Sequence, residues 1–516
     1  MKIKIVLAIL MLVWLAPVNA QVMTFLKTVG SSSYDQGNCI RQTSDGGYIT
    51  VGQTMGLGAG NSDVYLVKTD SAGTNLWTRT YGGSADDLGN SVQQTSDGGY
   101  IIVGTTSSFG TPNMSDVYLI KTDASGIVSW SKTIGGSDND LGYSVQQTTD
   151  GGYIIGGNSY NTIGNFNLYL IKMDSNGTLV WSKTYGGAGT EHGGFVTQTA
   201  DGGYVIMGDT YSFGLQGGIY IVKTDASGNE VWSKTYGNYM GGNEKLSIQQ
   251  TADGGYIVAT FTIELGDHDA CLIKTDSNGN IIWAGSYDIM FGSQRGYSAK
   301  QTADGGYIIC GSGSYQTWGG VYLVKTNSTG SVQWSRLYYG VKALDVTQTT
   351  DGGFVVTGCG VHSGSTEVLL LKTDTNGNSF CNDTSITSTK GSPAITYGAQ
   401  TSVVSTSGTA TSQNTMTSSG GTSASSCSTV GINEITSSST LIDIYPNPGN
   451  GNFSLKANTK IATIKISNAF GDTIHFSEIN SEKAEIDLTQ QANGIYFYQI
   501  KSDNGAFKTG KVIIAN

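Results

Sequence analysis

The sequence predicts an all-β fold: a seven-bladed β-propeller, then a Ser/Thr-rich linker, then a small separate β domain. Three observations predict it. The string Asp-Gly-Gly-aromatic recurs at Asp45, Asp97, Asp150, Asp201, Asp253, Asp304 and Asp351, at intervals of 52, 53, 51, 52, 51 and 47 residues. One Trp recurs at a fixed place in six of the units, at Trp77, Trp130, Trp181, Trp232, Trp283 and Trp334. Of 516 residues, 74 are Gly and 5 are Pro with no Gly-X-Y period, which excludes collagen and suits many tight turns. Repeats of about 40 to 50 residues holding four strands each are the signature of propeller blades.

Residues 1–20 read as a signal peptide. Lys2 and Lys4 open it, Ile5 to Leu15 form its apolar stretch and Val18-Asn19-Ala20 its cleavage site, so the mature chain is expected to begin at Gln21. About 11 apolar residues are too few to cross ~30 Å of hydrocarbon, and no transmembrane segment is expected in the mature chain.

The propeller is expected over residues 21–383. One unit, Ser91 to Gly142, contains four β-rich runs, Ser91 to Thr95, Tyr100 to Thr105, Val117 to Thr122 and Val128 to Ile134. Asp-Gly-Gly supplies the positive φ of the first hairpin, and Asp123-Ala124-Ser125-Gly126 that of the second. The recurring Trp is a wedge between neighbouring blades. The seventh unit has Cys381 where its Trp belongs, while Phe25-Leu26-Lys27-Thr28-Val29-Gly30 matches the Trp-containing strand. The N-terminal strand is therefore expected to complete the last blade and remove two free sheet edges. The repeated Lys-Thr-Asp-x-x-Gly-x-x-x-Trp resembles the tryptophan-docking repeat of quinoprotein dehydrogenases and their non-catalytic relatives, and also the Asp-box of sialidases. Both resemblances imply shared blade packing and no more.

From 384 to 440 about half the residues are Ser or Thr, a low-complexity composition that reads as a linker with room for a few loose strands. Six Cys lie in the exported part, without a Cys-x-x-Cys spacing, and 15 full pairings are open. Cys271 and Cys310 sit in apolar runs as buried thiols, and Cys427 is a candidate to tether the linker back to Cys381.

Residues 441–516 regain strand alternation. They carry Tyr445-Pro446-Asn447-Pro448, Gly451 and Phe453, then Gly494-Ile495-Tyr496 and Gly510-Lys511. This order and spacing closely resembles the type A C-terminal sorting domain of the type IX secretion system of Bacteroidetes. The resemblance implies a small Ig-like β-sandwich read by the export machinery as its partner, and a secreted or surface-attached protein.

Function is less sharply marked. The formal net charge of −11 argues against nucleic acid and anionic membranes as partners. In a propeller the loops between second and third strands share one face with the blade-to-blade loops, and here they vary widely while the hairpins barely change. Diverse loops read as a recognition surface. Near that face Asp35, Asp87, Asp140 and Glu191 stand at equivalent places, with Glu244 one place away in the fifth unit, as a candidate ligand-binding acidic arc. Each is weighed against the simpler reading that it caps its own turn. Calcium at this arc is the one cofactor the pattern suggests. Four Arg in non-equivalent places make no sialic-acid triad, and His192, His268, His362 and His475 show no metal spacing. No catalytic residue is assigned. The expected function is an exported, non-catalytic binding or adhesion propeller for glycan or protein. The alternatives are a polysaccharide hydrolase using acids on the variable face, or a structural or motility-related surface protein.

Overall fold

The computed structural model describes residues 22–515, apart from 161–163, 214–216, 238–245, 265–266, 290–293, 316–317, 363, 380–382, 386–387, 392–396, 401–402, 406–408, 413–415, 419–421, 430–441, 447–448, 469–472 and 504–506. The signal-peptide reading, Glu244, Cys381 and with it the Cys381–Cys427 tether, Asn447 and Pro448 lie outside the described residues. Two compact units divide the chain at Thr429/Val430.

In the first unit seven antiparallel sheets form a propeller-like ring. The second sheet shows the pattern: Asp87–Gln94 innermost, then Tyr100–Thr106, Asp116–Thr122 and Val128–Gly135. Each hairpin is built locally. Asp45 Oδ1 accepts Thr43 Oγ1 and Gly47 N, Gly46 has φ 82°, and a side chain on Gly47 would run into the Thr69 carbonyl. The buried Lys68 ammonium closes the motif on Asp45 at 2.8 Å, and all seven sheets repeat this pair. Burial would raise the Asp45 carboxyl, yet hydrogen bonds from Lys68, Thr43 and Gly47 hold it at about 2.

Neighbouring sheets dock through the Trp wedge. Trp77 packs edge-on against Tyr100 of the next sheet at 6.1 Å, and a Cβ on Gly126, whose φ is +76°, would stand 2.9 Å from its ring. Tyr81 from the same outer strand donates to the Gly126 carbonyl. Trp130, Trp181, Trp232, Trp283 and Trp334 meet Tyr153, Tyr204, Tyr256, Tyr307 and Phe354 in the same way. Thr24–Gly30 pairs with Ser365–Thr373 as the outer strand of the seventh sheet, where Phe25 packs on Tyr48 and over Gly73 of the first. The same closure appears on the hairpin side. Seven Gln side chains accept a backbone N–H from the preceding hairpin, from Ser44 N to Gln94 round to Thr350 N to Gln42.

Every innermost strand whose register is described from its start carries a β-bulge. Pairing slips between Gly37 and Cys39, Gly89 and Ser91, Gly142 and Ser144, Gly193 and Phe195, Gly296 and Ser298, and Ala343 and Asp345. A bulge re-aims the side chains on either side of it. Here it turns consecutive residues toward the central channel, where simple alternation would send one of each pair into the blade.

The segment expected to be a linker differs from that expectation. It runs around the rim in the reverse order of the sheets, giving each a fifth, outermost antiparallel strand. Asp383–Ser385 joins the sixth sheet, Ser388–Gly391 the fifth, Tyr397–Gln400 the fourth and Val403–Ser405 the third. Thr409–Ser412 joins the second, Met416–Ser418 the first, and Thr422–Thr429 pairs with Thr24–Gly30 on the seventh. Short Ser/Thr strands suit this duty, because an edge needs backbone partners and no apolar face. The belt also has a pin. Arg79, Lys183, Lys234 and Arg336 lie over the Trp two residues earlier in their own strands, but the fifth sheet has Gly285 at that place. Lys390, the only basic residue between 383 and 429, fills the notch: its ammonium sits 4.6 Å from the Trp283 ring and donates to the Thr329 carbonyl at 2.7 Å.

The second unit is a small β domain of Ile442–Tyr445, Asn452–Ser467, Thr473–Asp487, Gly494–Ser502 and Phe507–Ile514. Bulges between Lys456 and Thr463 divide the longest strand. Its first half pairs with Ile442–Tyr445 and its second with Gly494–Ser502, so the sheet folds over one core containing Phe453, Ile464, Ile500 and Val512. Gly449 N donates to the Ile513 carbonyl and Ala515 N to Gly449, closing the edge. Among the described residues no helix is long and apolar enough to cross a membrane.

Candidate functional site: the central channel

The innermost strands bring equivalent positions of the seven sheets to each level of the channel. At the loop face it opens as a cavity of about 540 Å3. Below it a waist of about 90 Å3 is lined by Ser91, Ser144, Ser247, Ser298, Phe195 and Asp345, and the hairpin end widens again to about 280 Å3.

The wide mouth is asymmetric. On the third and fourth sheets Tyr143 packs with Phe195 at 6.1 Å and Phe166 with His192 at 5.9 Å. Tyr160 and Tyr211 extend this wall outward, half exposed, against Phe166 and His192. Among them Asp209 is 2% exposed, and its Oδ2 lies 3.8 Å from His192 Nδ1. Among the described residues neither atom has a hydrogen-bond partner, which is costly for a buried carboxylate oxygen. Burial first, and then the charge of Asp209, pushes the Tyr143 phenol up to about 12, so it stays a neutral donor. The first and seventh sheets supply amides and a cation instead: Gln36, Asn38, Gln53 and Lys342. Gln36 donates to Asn38 at 2.6 Å and accepts from the Tyr34 hydroxyl. An aromatic wall facing a polar wall can hold a ligand with one apolar face and several hydroxyl groups.

The acidic arc occupies a different level. Asp35, Asp87, Asp140 and Glu191 are at most 2% exposed, at the starts of the innermost strands, below the loop surface. Each caps the loop before it, accepting from Ser31, Gly83, Gly136 and Gly187 N respectively. Asp87 also takes Ser108 Oγ at 2.6 Å, and Glu191 takes Thr210 Oγ1 at 2.7 Å. These four carboxylates therefore hold the loops in place from beneath. Among the described residues no three His, Cys, Asp or Glu side chains are placed to hold a metal ion.

Burial leaves a mark on these acids. For Asp140, desolvation and then the neighbouring Asp116 and Asp138 outweigh hydrogen bonds from Ser159 and Gly136, and its carboxyl titrates at about 6. A folded-state value above the unfolded one stabilises the fold most below about pH 4, and that stability is lost as pH rises through 6. Asp140→Asn keeps an acceptor without the charge. Urea unfolding at pH 4.5 and 7.5 is expected to show the variant gaining on the parent at the higher pH, by on the order of 2 kcal/mol.

Cys39, Cys271, Cys310 and Cys359 are buried thiols. Cys271 and Cys310 fill core positions, and Cys359 hydrogen-bonds Gln36 beneath the mouth. In the second unit the sorting residues divide into two groups. Phe453 and Tyr496 are buried, and Gly451, with φ 101°, accepts Leu488 N in a turn where a Cβ would stand 2.8 Å from Thr489 Cα. Gly494, Ile495, Tyr496, Gly510 and Lys511 lie on the paired last two strands, whereas Tyr445 and Pro446 are exposed.

The channel-lining residues escaped the sequence reading because the bulge hides their phase. The signal that finds them is variation across the units within the innermost strand. Tyr143, Phe195 and Tyr297 stand beside Asn38 and Asn90 at levels where the flanking residues repeat.

No curated protein matches the chain. Among solved structures it is similar to a protein of unknown function from Dyadobacter fermentans, at 12% identity over 67% of this chain and 97% of that one, with a TM-score of 0.38. It is also similar to Sqt1 from Chaetomium thermophilum, at 11% identity over 70% and 89%, with a TM-score of 0.38. PorZ, an essential surface component of the type-IX secretion system of Porphyromonas gingivalis, aligns at 9% identity over 95% and 100%, with a TM-score of 0.19. Scores this low carry no argument about what the chain binds. The C-terminal unit is specific where these are not: residues 443–515 match the secretion system C-terminal sorting domain, and the chain is an exported, surface-exposed all-β protein addressed by that domain.

Proposed function

We propose that this protein is a non-catalytic binding or adhesion propeller of seven blades, docked in the tryptophan-repeat manner and delivered by the type IX secretion machinery of a Bacteroidetes cell. It takes a polyhydroxylated ligand, a glycan, in the wide mouth of its channel. The observation that supports this most is Asp209: a buried carboxylate oxygen without a hydrogen-bond partner among the described residues, beside His192 and an aromatic wall. A sugar hydroxyl supplies the missing donor, and a flat ring accepts the apolar face of a pyranose. Asp35, Asp87, Asp140 and Glu191 support the loops around that mouth.

A glycan array on the full mature chain, followed by titration calorimetry of the best hit, tests the reading. Asp209→Asn is expected to weaken binding about tenfold or more, the worth of a charge-assisted hydrogen bond. Release of product from the bound glycan would replace this reading with the hydrolase one. Binding that is indifferent to Asp209 and to Tyr143→Ala would remove the mouth as the site.

A further inference from the structure

The opposite, hairpin-side end of the channel carries a second arrangement that the binding function above does not use. Seven equivalent residues of the innermost strands ring it: Arg41, Gln93, Gln146, Thr197, Gln249, Lys300 and Thr347. The orientation of the three amides is forced by their neighbours. Gln93 Oε1 accepts Gln147 N at 2.6 Å, Gln146 Oε1 accepts Gln198 N at 2.8 Å, and Gln249 Oε1 accepts Gln301 N at 2.8 Å. A backbone N–H can only donate, so each Oε1 must face the adjoining blade, and each Nε2 is left to the channel with its two N–H donors. Thr197 spends its hydroxyl proton on Gln146.

The charges at this level have the same sense. Lys300 is half-buried in the ring, and no hydrogen bond from its ammonium is formed among the described residues. Arg41 is held by Asp345 through Nη1, and Asp345 is further occupied by Ile40 N and Ser298 Oγ. Two cations thus share one carboxylate whose acceptor capacity is largely used. In a chain with a formal net charge of −11, a half-buried ring of amide donors with two cations on one carboxylate is a concentration of positive potential; burial lowers the Lys300 ammonium pKa, and the Asp345 charge opposes that. The level above, where Ser91, Ser144, Ser247 and Ser298 stand beside Phe195, Leu246 and Leu344, narrows to about 90 Å3 between this chamber and the wide mouth.

We propose that the hairpin-side chamber is an oxyanion site, in which Lys300 and the amide groups of Gln93, Gln146 and Gln249 hold a sulfate-like or carboxylate anion. The chamber, about 280 Å3, admits a small anion. Ligands of this class take several donors at once, and charge-assisted bonds to Lys dominate their affinity.

The test uses the full mature chain, with sodium sulfate and sodium acetate as probes against sodium chloride at matched ionic strength. Thermal shift and titration calorimetry are read on the parent and on Lys300→Gln. That variant places in the sixth sheet the residue the second, third and fifth sheets already carry, so it is compatible with the ring. The parent is expected to bind sulfate or acetate in preference to chloride, and Lys300→Gln to weaken that binding roughly tenfold or more while melting unchanged in chloride. Sulfate binding alone assigns a tetrahedral oxyanion, and acetate binding alone assigns a carboxylate. No preference over chloride in the parent, or equal affinity in Lys300→Gln and in a second variant, Gln249→Met, would overturn the proposal. Glycan binding at the mouth is unaffected by either outcome.

Discussion

A chain ending at Ser379, without the belt, is expected to melt far below a chain ending at Thr429 and to aggregate on heating. The seven belt strands satisfy the outer edge of every sheet, from Asp383–Ser385 on the sixth to Thr422–Thr429 on the seventh. Without them seven rows of backbone N–H and C=O groups face solvent, each a template for pairing with another chain. Each lost backbone bond contributes only about 0.5 to 1.5 kcal/mol net, but the loss is repeated at every blade. The final belt strand also clamps Thr24–Gly30, the strand that joins the last sheet to the first. Thermal melts and light scattering after size exclusion compare the two chains. Equal melting with both chains monodisperse would show the belt to be a passenger. A finer probe is the pin: Gly285→Arg puts a second cation where a Cβ would already stand 2.8 Å from the Lys390 stem. It is expected to free Ser388–Gly391 from the fifth sheet, visible as faster amide exchange there.

Phe25→Ala carries the second large expected effect, a loss of about 3 to 5 kcal/mol in urea unfolding. Phe25 is 1% exposed and stands where the other sheets use Trp, packed on Tyr48 and over Gly73. Its removal leaves a cavity at the junction where the chain's beginning meets its seventh unit, in a core shared with Ile40, Tyr65, Val355 and Leu370. The change is expected to be harsher than Trp77→Ala, because Trp77 is partly exposed and lies between sheets continuous in sequence. Comparable losses for both would mean that ring closure adds nothing beyond local packing.

Much of this architecture is legible in the residues because each blade is specified locally. Asp-Gly-Gly builds its hairpin from atoms within a few positions, and Lys68 reaches Asp45 across a single hairpin pair. Period, turn chemistry and a repeated wedge then determine an all-β ring, and the order of Tyr445, Gly451, Phe453 and Gly494 marks the sorting domain. Three features could not be read this way. The bulge at Asn90 or Tyr143 is a pairing event between strands, and it alters which side chains face the channel without altering the composition. Asp87 and Asp140 look like exposed loop acids, because burial comes from a neighbouring loop and sheet that the local sequence does not reveal. The belt looks like a linker because its strands need only backbone partners, and Ser and Thr declare no face.

By itself, then, the sequence determined the repeat, the turns, the wedge and the export address, all of which depend on contacts near in the chain or on a motif read in order. Only the tertiary structure decided where the channel runs, which residues line each of its levels, and that the seven short strands from Asp383–Ser385 to Thr422–Thr429 return along the rim. Those are consequences of closing the ring. Closure brings equivalent positions of seven units to one axis and seven unsatisfied edges to one circumference, and no single unit contains either.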